Sequence, residues 1–122
     1  MTDKPNKSQK YDLEERTLSF AKACVDLCKN VPKNVINMPL VSQLIRSSSS
    51  VGANYREAND SITKKDFYHK IGICLRESKE SKYWLELIRH ADSRDSVAIE
   101  KLKDEAFQLT KIFATIGKNN DK

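Results

Sequence analysis

Apolar residues recur three and four positions apart in four segments of the chain, the spacing that gives a helix one buried face. The segments span roughly residues 12–31, 39–59, 64–90 and 96–116. The third is the most regular, because its core positions alternate steps of four and three without a break. Those positions are Phe67, Ile71, Cys74, Ser78, Ser81, Leu85 and Ile88. The sequence has no strand-like alternation, and the pattern predicts four helices.

The breaks between these segments carry residues that stop and start helices. Pro32 ends the first helix, and Pro39 suits the first turn of the second. Thr63 and Asp66 have the spacing of an N-terminal cap and its partner at the start of the third helix. Gly117 is a natural stop for the fourth. Because the connections are short, the fold class is predicted to be all-α, an up-down-up-down antiparallel four-helix bundle.

The chain has 122 residues, the length of one domain. We assign residues 11–117 to the bundle, residues 1–10 to a disordered N-terminal tail and residues 118–122 to a frayed C-terminal tail. No apolar run approaches the ~20 residues of a membrane span, and the polar N-terminus lacks the apolar core of a secretory signal. These features indicate a cytoplasmic protein without a membrane partner.

The stretch RSSSSVGANYREAN, residues 46–59, combines a linker-like serine run with the apolar register of the second helix. A flexible linker would not keep that register, and a phosphate-binding loop would need more glycines and a lysine. We therefore interpret the stretch as a helix whose small side chains let a neighbouring backbone approach closely. Ser48 is expected opposite Ser78 or Ser81, with its hydroxyl bonded to a carbonyl one turn back.

Several polar residues lie beside the core stripes of the second and third helices instead of opposite them. Two interpretations remain open: solvated flank charges, or a polar network at a helix or subunit contact. A network would fix register and partner at some cost in stability. Its candidate members are Arg46, Asn54, Arg56, Glu57, Glu77, Glu80 and Trp84. Glu77 and Glu80 are expected to pair with Arg46 or Arg56.

The charge balance adds a weak hint of function. The 22 lysines and arginines outnumber the 17 acidic residues, for a net charge of +5, which permits attraction to nucleic acid without demanding it. The candidate contacts to a phosphate backbone are Lys64, Lys65, Lys70, Arg76, Lys79 and Lys82. Each of them is equally compatible with an ordinary solvated surface. Tyr83 and Trp84 are interpreted as packing residues, so no aromatic platform for single strands is expected.

The thiols and imidazoles do not form a recognisable reactive site. Cys24 and Cys28 are four residues apart and Cys74 is distant, and we interpret all three as small buried hydrophobes. His69 and His90 lack the spacing of a zinc-ligand pair. A ferritin-like di-iron bundle would need Glu-x-x-His on two helices, which the sequence lacks. No Ser-His-Asp or Cys-His set is legible, so we expect no enzyme, no metal site and no cofactor.

Two long motifs, QLIRSSSSVGANYREA in the second helix and KKDFYHKIGICLRESKESKYWLELI in the third, resemble the small four-helix-bundle proteins encoded within intervening sequences of bacterial 23S ribosomal RNA genes. The motif DEAFQLTKIFATI of the last helix resembles the same family. The matching positions are Arg46, Ser47, Ser48, Ser49, Ser50, Val51, Gly52, Ala53, Asn54, Glu57, Lys65, Phe67, Lys70, Glu77, Glu80, Tyr83, Trp84, Leu85, Glu105, Leu109 and Ile112. The likeness covers about residues 10–117. It departs from the family at Ser48 and Ser49, where alanine or glycine is common, and at Cys74, where alanine is common.

A similar bundle is the accessory variability protein of diversity-generating retroelements, which works with a reverse transcriptase and binds nucleic acid. The resemblance implies a homopentameric ring of bundles and no enzymatic activity. It also implies that the partners are further copies of the chain, RNA or DNA, and a reverse transcriptase or another nucleic-acid enzyme. A lone bundle would leave Trp84 or Tyr68 partly exposed, which fits an interface between copies. The alternative function is a structural or regulatory protein-interaction module that binds no nucleic acid.

Overall fold

A computed structural model describes the backbone of residues 7–121 and the side chains of residues 12–120. Four α-helices fill most of this part of the chain, and they are followed by a short 3₁₀ turn at Asn119–Asp121. The helices are α1 (Lys7–Asn30), α2 (Asn37–Asn59), α3 (Lys64–Ala91) and α4 (Ser96–Lys118). Each helix packs against its neighbours in the chain, most extensively α2 against α3, and α1 also meets α4. The predicted all-α, up-down-up-down bundle is confirmed.

The helix boundaries fall close to those expected from the sequence, except at the start of α1. That helix begins at Lys7, so residues 7–10, expected within a disordered tail, are helical. Residues 1–6 of the expected tail lie outside the described residues. At the other end, residues 119–121 of the expected frayed tail form the 3₁₀ turn, and Lys122 is likewise outside the described part.

Side-chain hydrogen bonds fix two of the helix starts. The hydroxyl of Thr63 accepts a hydrogen bond from the backbone N–H of Asp66 at 3.1 Å, so the predicted N-terminal cap of α3 is confirmed. Before α2, the side-chain oxygen of Asn34 accepts from the backbone N–H groups of Ile36 at 3.0 Å and Asn37 at 2.8 Å. Asn37 therefore starts α2 two residues ahead of the proline that the sequence places in the first turn.

One apolar core runs the length of the bundle and receives side chains from every helix. Its largest fully buried members include Tyr55, Phe67 and Phe113. The rings of Tyr55 and Phe113 lie 5.7 Å apart in a tilted arrangement, which joins α2 directly to α4 across the bundle axis. Burial of this shared core is what holds the four helices together, since burying apolar surface is the dominant favourable term in folding.

The three thiols are part of this core. Cys24, Cys28 and Cys74 are all buried and free, as expected for small hydrophobes. Burial raises the pKa of Cys24 and of Cys74 to about 12, and that of Cys28 to about 11. All three side chains are therefore neutral thiols at physiological pH, which is the form that an apolar core tolerates.

The serine run lies inside α2, as predicted, and its small side chains face both neighbouring helices. The hydroxyls of Ser47 and Ser81 are 2.9 Å apart across the contact between α2 and α3. The expected partner was Ser48, and that prediction was wrong by one residue. Ser48 instead lies on the α1 side of the stripe, near the thiol of Cys24. Its hydroxyl donates to the carbonyl of Ile45 at 3.5 Å, so the expected bond to a carbonyl one turn back is confirmed. Ser78 bonds to the carbonyl of Cys74 on its own helix, at 2.8 Å.

Gly52 sets the distance between α1 and α2. A methyl group built at Gly52 would lie 2.9 Å from the hydroxyl oxygen of Thr17 and 3.2 Å from its Cβ. The Thr17 hydroxyl is held in place by the carbonyl of Leu13, at 2.7 Å, and is fully buried. The two helix backbones therefore meet at a contact that has no room for a side chain.

Replacing Gly52 by alanine should destabilise the bundle by about 1–3 kcal/mol, because the added methyl overpacks the contact with Thr17. Gly72 is a matched control on α3, since a methyl built there meets nothing within 4 Å. Gly72→Ala should stabilise the protein by ~0.5–1 kcal/mol through helix propensity. Urea unfolding at one fixed protein concentration measures both changes. A Gly52→Ala protein as stable as the parent would contradict the close contact.

Candidate functional site

The outward side of α3 carries cations that no acidic group neutralises. Lys65, Arg76 and Lys79 are exposed, and within residues 12–120 no ion pair or hydrogen bond engages their side chains. Lys65 and Lys79 are fourteen residues apart, about 21 Å along a helix. Gly72 lies on the same side and leaves the surface open, since nothing lies within 4 Å of a methyl built there. The result is a continuous basic stripe along α3.

An exposed aromatic ring on α4 extends this stripe. Phe107 is 44% exposed, and the ammonium groups of Lys82 and Lys111 lie 5.1 Å and 4.8 Å from its ring centroid. Tyr83, beside Lys82 on α3, is 59% exposed. We call the whole surface the basic face. It consists of Lys65, Arg76, Lys79, Lys82, Tyr83, Phe107 and Lys111.

Acidic residues mark the end of the basic face near the α3–α4 turn. The carboxylate of Glu86 lies 2.6 Å from the ammonium group of Lys103 on α4, and this ion pair holds the pKa of Glu86 below its usual value. Arg89 lies 3.3 Å from Glu100, so the cations in this region are neutralised. Away from the turn, Glu77 and Glu80 of α3 are bound by Arg46 of α2. The basic face is therefore bounded by a region of paired charges.

The six cations predicted to contact nucleic acid divide into three groups. Lys65, Arg76 and Lys79 form the outward stripe of the basic face. Lys82 lies over Phe107, and Lys64 lies 6.0 Å from the ring centroid of Tyr68 at the start of α3. The sixth cation, Lys70, lies in a different environment, next to α2.

Lys70 is directed toward α2 and away from the basic face. Its ammonium group lies 2.7 Å from the carboxylate of Glu57, and both distance and charge identify an ion pair. Lys70 forms this ion pair because it lies on the flank of α3 that packs against α2. Its charge is largely cancelled by Glu57, and the structure does not place it on the basic face with Lys65, Arg76, Lys79 and Lys82.

Sequence reasoning missed three residues of the basic face. Tyr83 was interpreted as a packing residue, and that interpretation was wrong, since its side chain is mostly exposed. Phe107 and Lys111 were not considered. A signal for both was present, because Phe107 lies off the apolar stripe of α4 and Lys111 follows it one helical turn later, at i+4. A large aromatic residue outside the core stripe is a candidate surface site.

A polar network joins α2 to α3, and Arg46 is its centre. The guanidinium group of Arg46 donates to Glu77 at 2.8 Å, is in contact with Glu80, and donates to Gln43 at 3.0 Å. The indole N–H of Trp84 donates to Glu80 at 3.0 Å. The structure thus brings together Arg46, Glu77, Glu80 and Trp84, four of the seven predicted members. Glu77 and Glu80 of α3 are both turned toward α2 by these contacts.

The remaining predicted members have other partners. Arg56 lies 3.6 Å from Glu14 of α1 instead of a glutamate of α3. Asn54 donates to the carbonyl of Ser50 one turn earlier, at 2.8 Å, so it is satisfied within α2. The ion pair between Glu57 and Lys70 is a separate contact. These three residues are therefore not part of the Arg46 network.

A second polar cluster lies between α1 and α2 near the end of α2. The amide of Asn59 donates to the carboxylate of Glu14 at 3.0 Å. Among the described side chains, the Tyr55 hydroxyl and the Asn59 side-chain oxygen are buried without a hydrogen-bond partner. Burial raises the pKa of Tyr55 to about 12, against a smaller lowering by the nearby Asn59 side chain. Tyr55 is therefore a neutral phenol at physiological pH.

The described side chains show no arrangement suited to metal chemistry. No group of three or more His, Cys, Asp or Glu side chains in residues 12–120 could hold a metal ion. A shallow depression at the α3–α4 turn is lined by Glu86, Arg89, His90, Ser93 and Ser96. Its arginine is already engaged by two glutamates. None of the described helices is both long enough and apolar enough to cross a membrane.

Fold and surface together define a small helical bundle with one basic outer face and a polar contact between its two central helices. The chain belongs to the 23S rRNA-intervening sequence protein family, whose family model matches residues 9–115. It is similar to a crystal structure of a protein of unknown function from the S23 ribosomal protein family of Bacteroides thetaiotaomicron. That chain is 30% identical, with a TM-score of 0.76, over 86% of this chain and 97% of the other. No curated protein matches this chain significantly. The resemblance seen in the sequence is confirmed, and the family is one without an assigned activity.

Glu77→Gln should destabilise the protein by about 1–2 kcal/mol, because it removes the charge from a carboxylate that is only 14% exposed and bound to Arg46. Glu80→Gln should cost less, since Glu80 is 38% exposed and a glutamine oxygen can still accept from Trp84. Glu57→Gln is the control: it breaks an exposed pair and should cost below ~0.5 kcal/mol. Thermal or urea unfolding of the three variants ranks their losses of stability. Equal losses of stability at all three positions would contradict the network and indicate independent, solvated charges.

Proposed function

We propose that this protein is a non-catalytic nucleic-acid-binding module that works as a closed homo-oligomer. The observation that carries the proposal is the basic face, where Lys65, Arg76 and Lys79 are exposed without acidic partners. Solvated cations on a rigid helix are what a phosphate backbone requires, because binding releases the counterions condensed on the nucleic acid. The net charge of +5 agrees with such a role and is too small to indicate it alone.

The chemistry of the stripe favours contacts to phosphate over contacts to specific bases. Lysine contacts a phosphate as a point charge, and Arg76 can donate two parallel hydrogen bonds to phosphate oxygens. Such contacts fix the position of a strand without reading its sequence. We therefore expect binding with weak sequence preference and strong dependence on salt.

Self-association is the second part of the proposal, and an apolar strip on α1 and α2 supports it. Leu18, Val25 and Ile45 are each 37–38% exposed. They lie on the α1–α2 side, whereas the basic face belongs to α3 and α4, so copies joined through the strip would keep their basic faces free. The expected exposure of aromatic residues is met in part: Trp84 is half-buried, and Tyr68 is buried.

A closed ring of five copies, as the resemblance implies, would present five basic faces at once. Contacts that are weak on one copy would then act together on one strand, because the first contact raises the effective concentration at the next. If nucleic acid does not bind, the alternative is a module that joins proteins. Nucleic-acid binding and protein joining would use the same ring. An assay of nucleic-acid binding therefore distinguishes them, whereas the oligomeric state does not.

Replacing Lys65, Arg76 and Lys79 by alanine should weaken nucleic-acid binding and flatten its salt dependence. Each lost phosphate contact should reduce the slope of log affinity against log salt by roughly 0.7–0.9. Fluorescence anisotropy of a labelled RNA and a labelled duplex DNA over several salt concentrations gives the slopes. Replacing Lys22, Lys33 and Lys101, exposed cations away from the basic face, is the control of equal charge and should keep the slope. No binding at low salt by an intact oligomer would refute the proposal.

Light scattering should give one species with five times the 14.0 kDa mass of the chain. Leu18→Glu should shift that species toward the monomer, because it places a charge in the apolar strip. Ser19→Glu, at the adjacent exposed position, adds the same charge outside the strip and should leave the mass unchanged. Circular dichroism checks that both variants remain helical. A parent protein of monomer mass would contradict self-association.

A further inference from the structure

Resting on the proposed nucleic-acid binding, we infer that the ligand of the basic face is a single strand, whose bases stack on Phe107 and Tyr83. The basic face combines exposed aromatic rings with unpaired cations, and that combination goes beyond what phosphate binding needs. Proteins that bind single strands pair a positive groove with aromatic side chains on which bases stack.

The environment of Phe107 is unusual for an exposed phenylalanine. Two ammonium groups, those of Lys82 and Lys111, lie within 5.1 Å of its centroid, and one comes from each helix. Neither lysine forms a salt bridge within the described part of the chain. In the free protein the cations interact weakly with the ring. A base stacked on the ring would leave both cations free to contact the phosphates on either side of that base.

Tyr83 is held in place by the polar network beneath it. The edge of its ring meets Trp84 at 5.1 Å between centroids, with the rings 76° apart. Trp84 donates to Glu80, and Glu80 is in contact with Arg46 of α2. The exposed ring of Tyr83 therefore packs against the indole of Trp84, whose position is fixed through Glu80 and Arg46. A ring fixed in this way loses little conformational freedom when a base stacks on it.

The chemistry of the surface also argues against a protein ligand at this place. The cores of protein–protein interfaces are depleted in lysine, and here each exposed ring has lysine beside it. A duplex is a poorer fit as well, because its base faces are covered by their neighbours in the stack and only phosphates and groove edges are accessible. A single strand offers both phosphates for the cations and free base faces for the rings.

The test compares a labelled single strand with a duplex of the same sequence, each as RNA and as DNA, by fluorescence anisotropy. The variant carries Tyr83→Leu and Phe107→Leu, which keep apolar side chains and remove the rings. Single-strand affinity should fall about 10-fold or more, since stacking on one ring is typically worth about 5- to 150-fold. Duplex affinity and the salt slope should stay unchanged, because every cation remains.

Ile62→Ala is the control for loss of an exposed apolar side chain, since Ile62 is 98% exposed and lies in the α2–α3 connection. It should bind as the parent does. A second measurement uses the intrinsic fluorescence of Trp84, the only tryptophan in the chain. Its emission should change on adding single strand to the parent and not to Tyr83→Leu.

The outcomes separate the two proposals. If the parent protein binds neither form, the proposed function itself fails. If it binds both and the double variant weakens both equally, or neither, phosphate binding stands and the stacking inference is overturned. A loss confined to single strands, for RNA, for DNA or for both, supports it and identifies the sugar that the site accepts.

Discussion

The close approach of α2 to both of its neighbours is the constraint on which the rest of the structure depends. Gly52 lets α2 meet Thr17 of α1, and Ser47 meets Ser81 of α3 through hydroxyls 2.9 Å apart. Larger side chains at these positions would separate the backbones. Because the helices are so close, Arg46 at the edge of α2 reaches the glutamates of α3. The small residues therefore determine where the charged residues can meet.

That packing pairs several charges of α3 internally and leaves Lys65, Arg76 and Lys79 on its outward side. The carboxylates of Glu77 and Glu80 are turned toward α2 by Arg46, and Glu86 is bound by Lys103 of α4. The cations on the outward side have no such partner. The helix carries seven lysines and arginines and four acidic residues, and the internal ion pairs leave its unpaired cations on the outer face. Removing the internal pairs would weaken this asymmetry even if every lysine stayed in place.

Helical periodicity was sufficient to predict the fold, because each core stripe repeats over several turns and most of the breaks carry proline, glycine or a capping residue. The rotation of each helix about its axis was harder to predict. An error of one residue exchanged Ser48 for Ser47 at the α3 contact. The register of one helix against the next could not be predicted from the sequence either. The ion pair between Lys70 and Glu57 was therefore not foreseen. Phe107 was the exception, since its position off the core stripe of α4 is visible in the sequence.

The serine run of α2 has a further consequence for how the chain acquires its structure. Serine and glycine are poor helix formers, so α2 gains most of its helical stability from packing against its neighbours. During synthesis α2 leaves the ribosome before α3, the helix with which it shares its largest contact. At that point Gly52 can already meet Thr17 of α1, whereas Ser47 still lacks its partner Ser81 of α3. We therefore expect α2 to gain its full helical stability only when α3 packs against it.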